Sequence, residues 1–190
     1  MNSEKQNYVF LADGFEEIEA LTVVDILRRA NLNCMTVAVG KADGDMVTGS
    51  HNISVKTDTS LNKITLDNVS CLILPGGMPG TKNLAESKEL ERLLLKAKED
   101  NIRLAAICAA PTVLAGLKFL DKINSTCYPT SEDVLRKAGA IVSQEEVVTD
   151  GNITTSRGMG TAIAFGLELV RLLVDEETAQ ELGSKIVYKQ

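Results

Sequence analysis

LAAICAAPTVLAGL, residues 104–117, is the stretch on which the fold turns. With Ile102 and Arg103 before it, its first four residues read as a buried strand, IRLAAI, which delivers Cys108 through Ala109 and Ala110 into Pro111 and a helix ending near Gly116. Pro111 lacks an N–H that a first helical turn has no use for, and its fixed φ suits that turn. At such a corner the unpaired N–H groups and the positive end of the helix dipole favour an anion. The sequence therefore predicts that Cys108 is held as a thiolate, with two alanines leaving room above the sulfur. The plainer alternative is a buried, inert cysteine, since free cysteine is among the most buried residue types.

Outward from this corner the chain alternates strands with helices. YVFLA (8–12), CMTVAVG (34–40) and VSCLILPGG (69–77) read as apolar strands. Residues 18–30 carry Ile18, Leu21, Val24, Ile26 and Leu27 in helical rhythm, and residues 87–99 form a helix with leucine on one face and Lys and Glu on the other. VTGSHNISVKTD (47–58) reads as a short hairpin turning near 49–52, and VVTDGNITTS (147–156) as a hairpin with Asp-Gly as its turn. SEDVLRKAG (131–139) fits a short helix with Ser131 as N-cap and Gly139 after its end, and residues 160–174 and 176–187 read as closing helices. Several strands are apolar throughout, which implies an α/β fold with a mostly parallel central sheet covered on both faces. In such folds ligands sit at the carboxyl ends of the strands, where Cys108 lies.

A chain of 190 residues, 44% hydrophobic and 24% charged, has the size and composition of one α/β domain, expected to span 1–190. A net charge of −6 opposes the basic patch that nucleic-acid binding needs. The polar N-terminus, MNSEKQNY, and the absence of a bilayer-length apolar run predict a soluble cytoplasmic protein with no membrane partner. Cys34, Cys71, Cys108 and Cys127 form no C-x-x-C pair, and His51 is the sole histidine, so no metal site is expected; no Walker or G-x-G-x-x-G pattern follows a strand, so no nucleotide cofactor is expected either. Cys34 and Cys71 sit in β-branched runs and read as core. Cys127 is a possible disulfide partner for Cys108 if geometry permits.

Two other loops leave strands at the same sheet edge, ADGFEEIEA and PGGMPG. Gly76 and Gly77 let backbone N–H groups approach a ligand, so with the N–H of Ala109 they are candidates for an oxyanion pocket; a glycine-rich tight turn explains them equally. Glu16 and Glu17 read as acidic residues favoured by the helix dipole. Glu19, one turn before Val23, points inward, where a carboxyl near a thiolate has a raised pKa and can donate to sulfur or carry a substrate proton.

LADGFEEIEA, RRA, LPGGMPGTKNL, AAICAAP and TSRGMGTA occur in the order and spacing of the DJ-1/ThiJ/PfpI family, and the chain resembles that family over nearly its whole length. The resemblance implies a flavodoxin-like three-layer sandwich, related to class I glutamine amidotransferases, that forms a homodimer. It makes Cys108 the nucleophile-elbow cysteine, Glu19 its carboxylic partner, and Gly77 and Ala109 anion donors. It places His51 as a basic residue reaching the active-site mouth across the dimer, and Arg29 and Met159 near that mouth. The family's proteolytic branch has histidine directly after the cysteine, where this chain has Ala109. The nearer branch has histidine before a proline where this chain has Tyr128, which reads as an aromatic wall or a hydroxyl donor. The expected activity is cofactor-free, cysteine-dependent detoxification of dicarbonyls or glycated substrates, of glyoxalase or deglycase type. The alternatives are a redox-responsive sensor or chaperone acting through Cys108 oxidation, and a thiamine-pathway or amidotransferase-like hydrolase.

Overall fold

The structure is a computed structural model, and residues 5–41 and 46–189 are described. The strands are β1 (Gln6–Leu11), β2 (Asn33–Ala38), β3 (Met46–Thr48), β4 (Ser54–Lys56), β5 (Thr59–Ser60), β6 (Val69–Leu74), β7 (Arg103–Ile107), β8 (Asn124–Ser125), β9 (Ile141–Val142), β10 (Val147–Asp150) and β11 (Ile153–Ser156). The helices are α1 (Glu17–Arg29), α2 (Gly80–Glu86), α3 (Lys88–Glu99), α4 (Pro111–Gly116), α5 (Glu132–Lys137), α6 (Ala162–Leu173) and α7 (Glu176–Lys185). Seven strands form the central sheet in the order β10-β11-β7-β6-β1-β2-β5. Every pairing in it is parallel except that of β10 with β11.

The continuous apolar runs are explained by burial on both faces of this sheet. Successive residues of β1 alternate between layers: Tyr8 and Phe10 pack with α2, α3 and α4 residues such as Leu84, Leu94 and Leu114, whereas Val9 and Leu11 pack with α1 and α6 residues such as Val23 and Phe165. In β7, Leu104 and Ala106 join the first layer and Ala105 and Ile107 the second. That alternation would send residue 108 to the first layer. Instead the left-handed backbone of Cys108, φ 65°, ends the strand, and its side chain packs against the second layer. Cys127 lies buried in the first layer, so the two thiols stand on opposite sides of the sheet and the suggested Cys108–Cys127 disulfide has no basis; all four cysteines are free.

Several local expectations are corrected. Residues 80–86 form a helix that the glycine-rich reading of PGGMPG leaves out. The chain between β10 and β11 turns on Gly151 and Asn152, since Asp150 pairs with Ile153, so Asp150 belongs to the strand. Ser131 makes no side-chain cap on α5, because a tight turn over Pro129–Ser131 runs directly into the helix. The closing helix begins at Ala162, after a turn over Met159–Thr161. On α1 the buried stripe is Glu19, Ala20, Val23, Val24, Ile26 and Leu27, and Ile18 is 51% exposed, outside the stripe it was expected to join. Among the described residues no helix is long and apolar enough to cross a membrane.

Candidate active site

Three strand ends converge at Cys108. The loop after β1 and the loop after β6 are locked together: the Glu16 N–H donates to the Gly76 carbonyl at 2.9 Å and the Gly80 N–H to the Gly14 carbonyl at 3.0 Å. Gly77 takes φ 91°, and a Cβ there would strike the backbone of Glu16 and Gly14, so only glycine fits this approach. The Cys108 corner is tied to its neighbours by two main-chain bonds. Its N–H donates to the Ser156 carbonyl at 2.9 Å, and its own carbonyl accepts from the Tyr128 N–H at 2.8 Å. A left-handed residue with a Cβ is costly, and these bonds hold it in place.

Glu19 enters from the first turn of α1. The Glu16 side chain caps that turn by accepting from the Glu19 N–H at 2.7 Å, which sets the helix so that position 19 shares the inner face with Val23 and Ile26. The Glu19 carboxyl is 1% exposed and accepts from the Gly76 N–H at 2.9 Å, from the Met159 N–H, and in contact with the Cys108 thiol. A Cβ at Gly76 would lie 2.6 Å from Glu19 Oε2 and 3.1 Å from Cys108 Sγ, so the glycine makes room for the contact. Burial, helped by the Glu16 charge, raises the Glu19 carboxyl to about 7 against the pull of its hydrogen bonds.

The thiol is not the freely ionised anion expected from the corner alone. Burial first, and then the Glu19 charge, push Cys108 up to about 12, while the Ala109 and Gly77 N–H groups pull it down. Groups this close ionise as a pair. With one proton between them, the arrangement that places it on Glu19 removes the repelling carboxylate, turns the carboxyl into a donor to sulfur, and leaves the thiolate facing two N–H groups. Gly76 was expected to be a third anion donor, but its N–H is taken by Glu19, so it serves the acid.

The remaining predicted residues divide. Tyr128 is 47% exposed, with Cδ2 3.5 Å from where a Cβ on Gly158 would stand, a point 3.9 Å from Glu19 Oε1. Its ring thus borders the site. Met159 contributes its N–H to Glu19 and leaves its side chain 56% exposed. Arg29 is not at the site within this chain: it pairs with Asp25 at 2.6 Å, ten residues along α1 from Glu19, a rise of roughly 15 Å.

His51, on the β3–β4 turn, is held by Glu17, whose carboxylate accepts from the His51 N–H at 2.7 Å and meets Nδ1 at 3.1 Å. Glu17 is therefore buried and engaged, which the helix dipole alone does not explain. Ligand atoms of Glu16, Glu17 and His51 lie within 4.8 Å of one another. Each carboxylate there already accepts a main-chain N–H.

Sequence reasoning missed Ser156, whose carbonyl anchors Cys108, and an ion pair that braces the Tyr128 segment. Arg157 Nη2 lies 3.2 Å from Glu132 Oε1, and Arg136 reaches the other oxygen at 2.7 Å. Nothing in the linear order joins residues 132 and 157.

Known proteins resemble the chain in sequence and in fold. Residues 5–172 match the DJ-1/PfpI family. The chain is 37% identical to Protein dj-1beta of Drosophila melanogaster over 183 residues, 96% of this chain and 97% of that protein. The crystal structure of Drosophila DJ-1beta superposes with a TM-score of 0.91 over 98% of this chain and 100% of the other, at 34% identity. Toxoplasma gondii DJ-1, in a structure described as oxidized, gives 0.89 over the same shares at 30% identity. Deglycase TK1284 of Thermococcus kodakarensis is 32% identical over 87% of this chain and 97% of that protein. A flavodoxin-like α/β sandwich with a mostly parallel sheet, matched over nearly its full length, places the chain in the DJ-1/PfpI family.

Proposed function

We propose that the chain is a cofactor-free enzyme converting reactive 2-oxoaldehydes such as methylglyoxal, or their early adducts with amines and thiols, to 2-hydroxy acids. Cys108 is the nucleophile and Glu19 the proton carrier. The observation that carries this reading is the buried Glu19 carboxyl bonded to Cys108 at a corner where the Gly77 and Ala109 N–H groups meet the sulfur. The 32% identity to a protein named a deglycase adds support.

In this reading the thiolate adds to the aldehyde carbon. A C–S bond forms, and the carbonyl oxygen takes the proton carried by Glu19, giving a hemithioacetal. The Glu19 carboxylate then removes the C1 proton to leave an enediolate and returns it to C2, while the hydroxyl proton on the C1 oxygen passes to the C2 oxygen, so C1 becomes a thioester and C2 a carbinol. The Gly77 and Ala109 N–H groups hold developing oxygen charge. Water cleaves the C–S bond, releasing lactate and the thiol. C1 is oxidised as C2 is reduced, and no external electron carrier enters. The test is lactate formation from methylglyoxal without glutathione, expected in the wild type and absent in Cys108→Ser.

We read residues 1–190 as one functional unit acting as a homodimer. The face between α1 and α6 supports this, with Ile18 51% and Ile163 39% exposed beside a groove lined by Leu21, Asp25 and Arg29. Four free cysteines suit a reducing compartment such as the cytoplasm.

A second reading, redox sensing, is favoured by the exposure of the thiols: Cys108 is half-buried, whereas Cys34, Cys71 and Cys127 are buried. Mild peroxide followed by mass spectrometry should then add oxygen to Cys108 faster than to Cys34 or Cys71. Equal rates at the three positions would end this reading.

A further inference from the structure

Three large apolar side chains exposed to solvent stand on the segments around the thiol. Tyr128 is 47% exposed beside Gly158, Met159 is 56% exposed and sends its own N–H to Glu19, and Met78 is 62% exposed and follows Gly77, whose N–H meets the sulfur. Each of these side chains therefore stands on a segment that touches the reacting pair. Large apolar side chains exposed singly are ordinary on a protein surface, whereas three on loops that converge on one reacting pair mark a contact surface for a ligand. The charged side chains proposed for the mouth are engaged elsewhere in this chain, Arg29 by Asp25 and His51 by Glu17.

We infer that Met78, Met159 and Tyr128 set substrate choice, forming an apolar rim that takes the carbon side chain of a 2-oxoaldehyde. The preferred substrates are branched-alkyl 2-oxoaldehydes in place of methylglyoxal. Methionine is flexible and polarisable, so two of them close round alkyl groups of different shape while the tyrosine ring supplies a fixed wall. The inference rests on the thiol–aldehyde reading above and adds the substrate class to it.

The experiment compares methylglyoxal with isobutylglyoxal, using wild type and a Met78→Gln/Met159→Gln double variant. Two readouts are taken: kcat/KM for acid formation, and protection of Cys108 from iodoacetamide by each aldehyde, which needs no turnover. Wild type is expected to favour isobutylglyoxal by about tenfold in both readouts, the discrimination available from a few methylene groups in an apolar site. The double variant is expected to bring that ratio close to one. Stronger protection by isobutylglyoxal without turnover of either aldehyde supports the rim and ends the catalytic reading. No preference in either readout, or a preference unchanged in the double variant, overturns the inference.

Discussion

Glu19, in the first turn of α1, and Cys108, just past the end of β7, meet across the missing side chain of Gly76. A methyl group at position 76 would stand 2.6 Å from the carboxyl and 3.1 Å from the sulfur, closer than atoms pack. Gly76→Ala must therefore push the pair apart. Misplacing reacting groups by about 1 Å costs on the order of 100-fold. The variant is predicted to lose about that much kcat/KM for methylglyoxal while keeping a cooperative thermal transition; wild-type turnover would show that the contact is dispensable.

The pair also sets how the thiol responds to pH. Glu19 is raised to about 7, and once the pair has lost one proton a fixed fraction carries the charge on sulfur. Alkylation of Cys108 by iodoacetamide should therefore rise through an inflection close to 7. In Glu19→Gln the thiol has to ionise against burial without a shared proton, and the inflection should move upward. Alkylation rates across pH 5 to 10 check this, and an unmoved inflection would contradict it.

Stability should carry the same signature. A carboxyl raised from 4.5 to about 7 in the folded chain binds more protons there than in the unfolded chain between those values. The sign follows: stability is fully present below about 4.5, falls as pH rises through 7, and is flat above. The loss is on the order of 3 kcal/mol. Glu19→Gln removes the titration, so urea unfolding at pH 5 and pH 8 should show a smaller difference in the variant than in the wild type.

How much of this was legible in the sequence follows from which features are local. The unbroken apolar runs of β1, β6 and β7 announced a sheet covered on both faces, and residues alternating along them do divide between two layers. The inward turn of Glu19 was legible from its spacing to Val23, because both lie on one helical face. Helix α2 was not, since Leu84 is its one large apolar residue and the glycine-rich turn before it masks the start. The assignment of the Gly76 N–H to Glu19, and of Glu17 to His51, joins residues 57 and 34 positions apart, and no periodicity records such approaches. The pKa of Cys108 was misread for a related reason. The corner's dipole is visible in sequence, whereas the burial and the facing carboxylate that oppose it arise only on folding.

The exposed apolar face between α1 and α6 predicts a dimer. Sedimentation equilibrium should give twice the mass of one chain, and Ile163→Glu, which places a charge on that face, should shift the protein toward the monomer. Unchanged mass in the variant would locate the interface elsewhere.

The central claim, that Cys108 and Glu19 work as one unit to move a proton between neighbouring carbons, is tested most directly by following methylglyoxal in D2O by proton NMR. The account predicts lactate carrying deuterium at C2 from the wild type, since the proton passes through an exchangeable carboxyl, and no lactate from Cys108→Ser or Glu19→Gln. Lactate that keeps the original hydrogen at C2, or wild-type rates in either variant, would contradict it.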